Sequence, residues 1–296
     1  MARCSHQAEA LNVKTSEKFN SDIFTLRWQI LATQISDVPI LTCSEALERL
    51  KKNRENQKGK QRFLAMYSSI FGGITTDTAA MVIPMDDHMV HRGHGVFDTS
   101  AIVDGHLYEL DQHLDRILRS ASMAKINIPF DRETIRRILI QTPALYAIVI
   151  QDQSPHDSRG IKVVTSSVPM KPPQFATMKS GPSMNVAFVT KEQDLLMPAF
   201  DRILSGCTAK RVLTLAEGLV KQGKLHEIKI GDVTVEEGKK ADEMMLIGSG
   251  VLVRPVVQWD NQVIGDGKEG PITRALLTLI LEDMRSGPPA VRVPVP

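Results

Sequence analysis

Cysteine is scarce in this sequence, and the three present, Cys4, Cys43 and Cys207, stand far apart. They form neither a CxxC pair nor an even-numbered framework, which excludes a disulfide scaffold and a zinc ribbon and fits a reducing compartment. An excess of one charge is lacking too. Lys and Arg number 36 against 34 Asp and Glu, a net charge of +2, so nucleic acid is not an expected partner. No apolar run approaches the ~18 residues of a membrane span, and no membrane association is expected. The N-terminus, MARCSHQAEALNVK, lacks the apolar stretch of a secretory signal and is not plainly Arg-rich and acid-poor. A cytoplasmic location is expected on that basis. No internal repeat is visible.

What is present is the composition of an ordinary globular chain, 42% hydrophobic and 24% charged over 296 residues, long enough for about two domains. Residues 1–61 read as an N-terminal helical extension and polar linker. Thr42-Cys43-Ser44-Glu45 has the form of a capping box that opens a helix through Ala46, Leu47 and Leu50. Residues 62–151 read as a small α/β domain, with strands at Phe63–Tyr67, Val96–Val103, His106–Leu110 and Ala144–Ile150. Asp104-Gly105 is the hairpin turn, because Gly takes positive φ without steric cost. Leu114, Ile117, Leu118 and Ala121 fall at i, i+3, i+4 and i+7, an amphipathic helix after Asp111, and a second helix opens at Asp131.

The segment 152–160, DQSPHDSRG, reads as a linker and 161–287 as a larger domain. There, strands are expected at Ile161–Ser166, Met184–Thr190, Leu225–Val235 and Asp242–Ile247, with a hairpin over Leu252–Ile264 about Asp260-Asn261. Helices are expected at Thr208–Lys221 and from Pro271, a residue suited to the first helical position. Residues 288–296 read as an extended, Pro-rich tail.

Four features bear on chemistry. Lys179 lies between a Pro-Pro turn and a strand-like run. It is either a solvated loop lysine or a partly desolvated amine able to form a Schiff base. Leu204-Ser205-Gly206-Cys207-Thr208 leads into a helix whose free amides suit a phosphate, although a plain Thr N-cap reads the same way. Ile247-Gly248-Ser249-Gly250 ends a strand in small residues that permit close approach of a ligand, or simply a turn. Arg116 is a bidentate phosphate binder or a surface helix arginine. His88, His91, His94 and His106 lack the spacing of a metal site, and none is expected.

Together these residues resemble a family. HMVHRGHGVFDTSAIVDGHLYELDQHLDRILRSASMAKI is similar to the small-domain signature of the class IV, fold type IV pyridoxal-phosphate aminotransferases. That family includes branched-chain aminotransferases, D-amino-acid aminotransferases and aminodeoxychorismate lyases. LSGCTAKR and ADEMMLIGSGVLVRPV resemble its two phosphate-side motifs, in the right order. The resemblance runs from about Phe63 to Arg285. It implies a mixed α/β (α+β) two-domain fold, with a small N-terminal domain and a larger pseudobarrel-like one, and a homodimer. It also implies pyridoxal 5′-phosphate as cofactor, and amino-acid and 2-oxo-acid substrates. Lys179 matches the Schiff-base lysine and Arg116 the phosphate arginine. Cys207 and Thr208 match the backbone phosphate donors, and Gly248 and Ser249 the second phosphate contact. His91, Arg92 and Phe97 would lie on the active-site side.

Two departures stand out. Where the family continues from the lysine through an asparagine-tyrosine run, a helix, a hairpin and a glutamate that partners the pyridine nitrogen, Ser180 here joins Gly181 directly. About thirty residues, one supersecondary unit, are missing. Ile140-Gln141-Thr142 likewise runs straight into Pro143-Ala144-Leu145 where the family has another unit near the substrate carboxylate. The expected function is transamination, with two alternatives: a non-catalytic or weakly active truncated member, and an aminodeoxychorismate lyase-like enzyme.

Overall fold

The structure, a computed structural model, describes residues 38–56, 62–141, 146–151, 159–166, 171–172, 175–180 and 183–295. The chain divides into two compact units between Asn56 and Gln57. In the first, helix α1 (Cys43–Glu55) is opened by the expected capping box. Thr42 N–H donates to Glu45 Oε2 at 2.7 Å, and Glu45 N–H donates to Thr42 Oγ1 at 3.3 Å.

The second unit is mixed α+β, as the sequence implied. Strands β1 (Arg62–Ser68), β2 (Gly73–Thr75) and β5 (Tyr146–Gln151) form an antiparallel sheet in the order β2-β1-β5. Short helix α2 (His88–Arg92) follows β2, and hairpin strands β3 (Ile102–Val103) and β4 (His106–Tyr108) lead into helix α3 (Leu110–Met123). Leu110, Leu114 and Ala121 bury the apolar stripe of α3, and helix α4 (Arg132–Gln141) packs Ile135 into the same cluster as Leu110 and Leu114. Asp131 accepts from Thr134 N–H at 2.7 Å and so stops the fraying of α4.

The larger sheet contains β6 (Ile161–Val163), β7 (Asn185–Val189), β8 (Leu195–Pro198), β9 (Ile228–Gly231), β10 (Glu243–Gly248), β11 (Leu252–Trp259) and β12 (Gln262–Val263). Its order is β12-β11-β10-β7-β8-β9, with β6 parallel to β11. Helices α5 (Cys207–Lys221) and α7 (Pro271–Ser286) share one buried cluster with this sheet, through Val212, Ala216, Leu276 and Ile280 against Ala187, Met245 and Ile247. The opposite face gathers Phe188, Met244, Val256 and Ile264. Burying such aliphatic side chains is worth about 1.5–3 kcal/mol each, which makes this cluster the platform under the site.

Three local expectations are corrected. Val96–Val103 is a strand only at Ile102–Val103, because the backbone before it bonds elsewhere: Phe97 N–H donates to Lys179 O at 3.1 Å. Leu225–Val235 is not one strand. It holds β9 and then helix α6 (Val235–Lys239), whose start is fixed by a capping box in which Thr234 N–H donates to Glu237 Oε2 at 2.8 Å and Glu237 N–H donates to Thr234 Oγ1 at 3.2 Å. The tail is not merely extended. After a 3₁₀ turn at Pro289–Val291, strand β13 (Arg292–Pro294) pairs antiparallel with β4, adding a third strand to the hairpin.

The start of α7 carries a testable contact. Pro271 sits at its first position, and the buried Glu243 carboxylate accepts from the amides of Ile272 (2.9 Å) and Thr273 (2.7 Å) and from Thr273 Oγ1 (2.7 Å). Glu243→Ala is expected to lower stability by about 1–3 kcal/mol, read as a shift in urea midpoint at constant slope.

Candidate active site

The site is built where α3, the 175–180 turn and the start of α5 converge. On α3, His113, Arg116 and Ser120 are buried at successive turns, forming a polar stripe beside the apolar one. Each has a defined partner. Arg116 Nε donates to Asp98 Oδ2 at 2.7 Å while its Nη2 donates to Asp98 Oδ1, a bidentate fork, and His113 Nδ1 lies 2.7 Å from the same Oδ1. Burial alone would raise the Asp98 carboxyl. The hydrogen bonds from His113 and Arg116 more than offset it and hold that carboxyl below its usual range. The resulting stability is fully present above the unfolded pKa of ~3.9 and is lost as pH falls through the lower folded value. We expect acid titration followed by circular dichroism to show a stability plateau that declines only below about pH 4.

Lys179 is 8% exposed, which rules out the solvated-loop reading. Its amide donates to Ser120 Oγ at 3.1 Å, its carbonyl accepts from Phe97 N–H at 3.1 Å, and its Nζ donates to Ser183 O at 3.3 Å. The Phe97 ring centroid lies 5.0 Å from Nζ. Burial, and then the positive charge of Arg116, push the Lys179 amine below its ordinary value, with Asp98 opposing. The shift is toward the free amine, the form that reacts with a carbonyl.

Cys207 and Thr208 open α5. Its N-cap, Gly206, makes no side-chain cap bond, and Lys210 N–H to Gly206 O is the first bond of the helix, so the amides of Cys207 and Thr208 lie among the orphan donors of a positive helix end. Gly206 has no room for a side chain: an added Cβ would lie 2.1 Å from Asn185 Oδ1, and Asn185 Nδ2 donates to Leu204 O at 2.9 Å, fixing the approach to the helix. Thr208 Oγ1 lies 3.1 Å from Ser249 Oγ in the β10–β11 turn, so the two small-residue loops meet. Gly248 closes that turn by accepting from Val251 N–H at 3.1 Å. Of the site residues named from sequence, Lys179, Arg116 and Cys207 lie within electrostatic reach of one another, and Thr208 joins Ser249.

Burial raises the Cys207 thiol to about 11. Thiol alkylation of the native protein at neutral pH is therefore expected to modify the exposed Cys43 and to spare Cys207, as read by peptide mass spectrometry.

Sequence reasoning missed Asp98, His113, Ser120 and Asn185. His113 and Arg116 share a face at i, i+3, and that spacing was available as a signal; Asp98 is distant in sequence and gave none. Phe97 reaches the site as expected, Arg92 is exposed, and the side chain of His91 lies outside the described residues. The His88 and His94 rings lie 6.3 Å apart, centroid to centroid. His94 Nε2 contacts Ala124 O at 2.8 Å, and His106 Nδ1 contacts Asp104 O at 2.7 Å. Among the described residues the metal-like grouping is Asp194, His226 and Glu227, and Lys229 Nζ already lies 2.6 and 2.7 Å from its two carboxylates.

A comparison with known proteins matches the class IV amino-transferase family model to residues 95–174 and 176–259. The chain is 55% identical to a D-amino-acid transaminase, chloroplastic, of Arabidopsis thaliana, over 90% of this chain and 87% of the relative. It is 22% identical to a D-alanine aminotransferase of Bacillus licheniformis, over 73% and 97%. A branched-chain aminotransferase of Thermoproteus uzoniensis superposes with a TM-score of 0.67 at 18% identity, covering 79% of this chain and 100% of that one.

The Arabidopsis relative overturns the cytoplasmic expectation, since its name is chloroplastic. A plastid transit segment is amphipathic and needs no apolar run, so the lack of one in the first residues does not bear on it. The same comparison bears on the short junctions. The match extends over 329 aligned positions, yet 90% of 296 residues is about 266, so about 60 positions of the relative have no residue opposite them. The Bacillus match, 279 positions on 73% of the chain, leaves a similar number. Two missing units of about thirty residues agree with that figure. Both junctions, at residues 142–145 and 181–182, lie outside the described residues. With its motifs, its fold and a relative at 55% identity in agreement, the chain belongs to the class IV aminotransferases, pyridoxal-phosphate enzymes that transfer an amino group between an amino acid and a 2-oxo acid.

Proposed function

We propose that the amino donors are D-amino acids and that Lys179 is the catalytic lysine. The substrate reading is carried by one observation, the 55% identity to a D-amino-acid transaminase. The residues fit the two reactive ends of the cofactor. Arg116, paired with Asp98, the amides of Cys207 and Thr208, and the Gly248-Ser249 turn that Thr208 contacts would hold the phosphate, and Lys179 offers a buried amine for an aldehyde. When bound, pyridoxal phosphate supplies an electron sink for charge developing at the substrate α-carbon. Asp98 orients the Arg116 fork, Ser120 and the Phe97 amide fix the Lys179 backbone, and Lys179 Nζ takes the α-proton and returns it.

Assaying purified protein with D-alanine and L-alanine against 2-oxoglutarate tests this. Turnover of the D form well above the L form is expected; equal or faster use of the L form would overturn it. We propose further that the protein is a homodimer, that the division into small and large domains falls at 152–160, and that the chain is directed to plastids. An import assay with isolated chloroplasts, scored by protease-protected product, tests the last of these.

A second reading, a weakly active or non-catalytic member, is favoured by the about 60 missing positions and by Ser180 standing where the family has its way to the pyridine-nitrogen glutamate. Covalent cofactor attachment without turnover of any amino donor would select it.

A further inference from the structure

A second lysine that none of the motifs assigns, Lys171, lies shortly before Lys179. Phe175 N–H donates to Pro172 O at 2.8 Å and Met178 N–H to Phe175 O at 3.0 Å. Lys171 Nζ then donates to Met178 O at 3.1 Å. That carbonyl belongs to the peptide that delivers the Lys179 amide to Ser120. The peptides on both sides of Lys179 are thereby pinned, by Lys171 before it and by the Phe97 amide after it.

We propose that Lys171 is a positioning residue for Lys179: its ammonium clamps the Met178 carbonyl and keeps a second cation beside the reactive amine. The inference rests on Lys179 being the catalytic lysine. The charged and titratable groups acting on that amine are Arg116 on α3, Asp98 ahead of β3, Lys171 shortly before it in the chain and Cys207 at the start of α5. Arg116 and Lys171 disfavour a third positive charge, and Asp98 and Cys207 favour it. Removing Lys171 takes away one of two repulsive cations, so Lys179 keeps its proton to higher pH.

Trace reductive methylation of the apoprotein with formaldehyde and a borane reductant, followed by peptide mass spectrometry, gives the Lys179 labelling rate against pH. Lys171→Gln and Lys171→Met are expected to move the labelling midpoint upward by about half a pH unit or more. Lys171→Arg, which keeps both the charge and a donor, leaves it in place. Gln keeps a donor without the charge, so a purely structural role would leave its midpoint at the wild-type value. Unchanged midpoints in Gln and Met, or an equal shift in Arg, overturn the proposal. If Met does not fold, as judged by circular dichroism, the Gln and Arg pair decides. This readout needs no cofactor. The underlying assignment fails separately, if borohydride reduction in the presence of pyridoxal phosphate places the pyridoxyl group on a lysine other than Lys179.

Discussion

Lys179→Ala is expected to lower transamination by about 10⁴-fold or more while leaving the fold intact. The size follows from the double duty of one amine. On the proposed assignment Nζ would be both the covalent anchor of the cofactor and the group that moves the α-proton, and removing a residue that acts as part of a unit costs nearly as much as removing the whole unit. The fold should survive because the backbone bonds at this position, from the Lys179 amide to Ser120 and from the Phe97 amide to Lys179 O, do not involve the side chain. Single-turnover kinetics together with far-ultraviolet circular dichroism separate the two effects.

Asp98→Ala is expected to produce the largest loss of stability among site variants, about 3–5 kcal/mol, because it leaves a buried cation without its counter-charge. Arg116 is 5% exposed, and its fork and the His113 ring both converge on this one carboxylate. Asp98→Asn keeps an acceptor but loses the charge, and an intermediate loss is expected. Denaturant midpoints of the two variants check the order. On the proposal that Arg116 holds the cofactor phosphate, cofactor affinity should fall in parallel, since Asp98 is what orients the Arg116 fork.

Much of this site was legible because its pieces are local. The α3 periodicity, the Gly-Cys-Thr helix start and the Gly-Ser strand end each span a few residues, and each carries its own physical signature. Lys179 was legible only as a position. Its burial comes from Ser120, Phe97 and Ser183, and no pattern along the chain shows those contacts. Asp98 was illegible for the same reason: a carboxylate ahead of a two-residue strand reads as loop until α3 places Arg116 and the His113 ring against it.

The fold shows the same division. Helices α5 and α7 have caps and apolar stripes that can be read directly. Strand β13 is three residues long and ends in proline, too short for alternation to register, and exists because β4 offers an edge. Among the described residues β5 pairs with β1 and β6 with β11.

The central claim is that the shortened chain still assembles a cup for the cofactor phosphate around one reactive lysine. Incubation with pyridoxal phosphate, borohydride reduction and peptide mapping test it most directly. A single pyridoxyl group on Lys179, lost in Lys179→Ala and weakened in Asp98→Ala, is the expected result. Labelling spread over exposed lysines, or none at all, would contradict it.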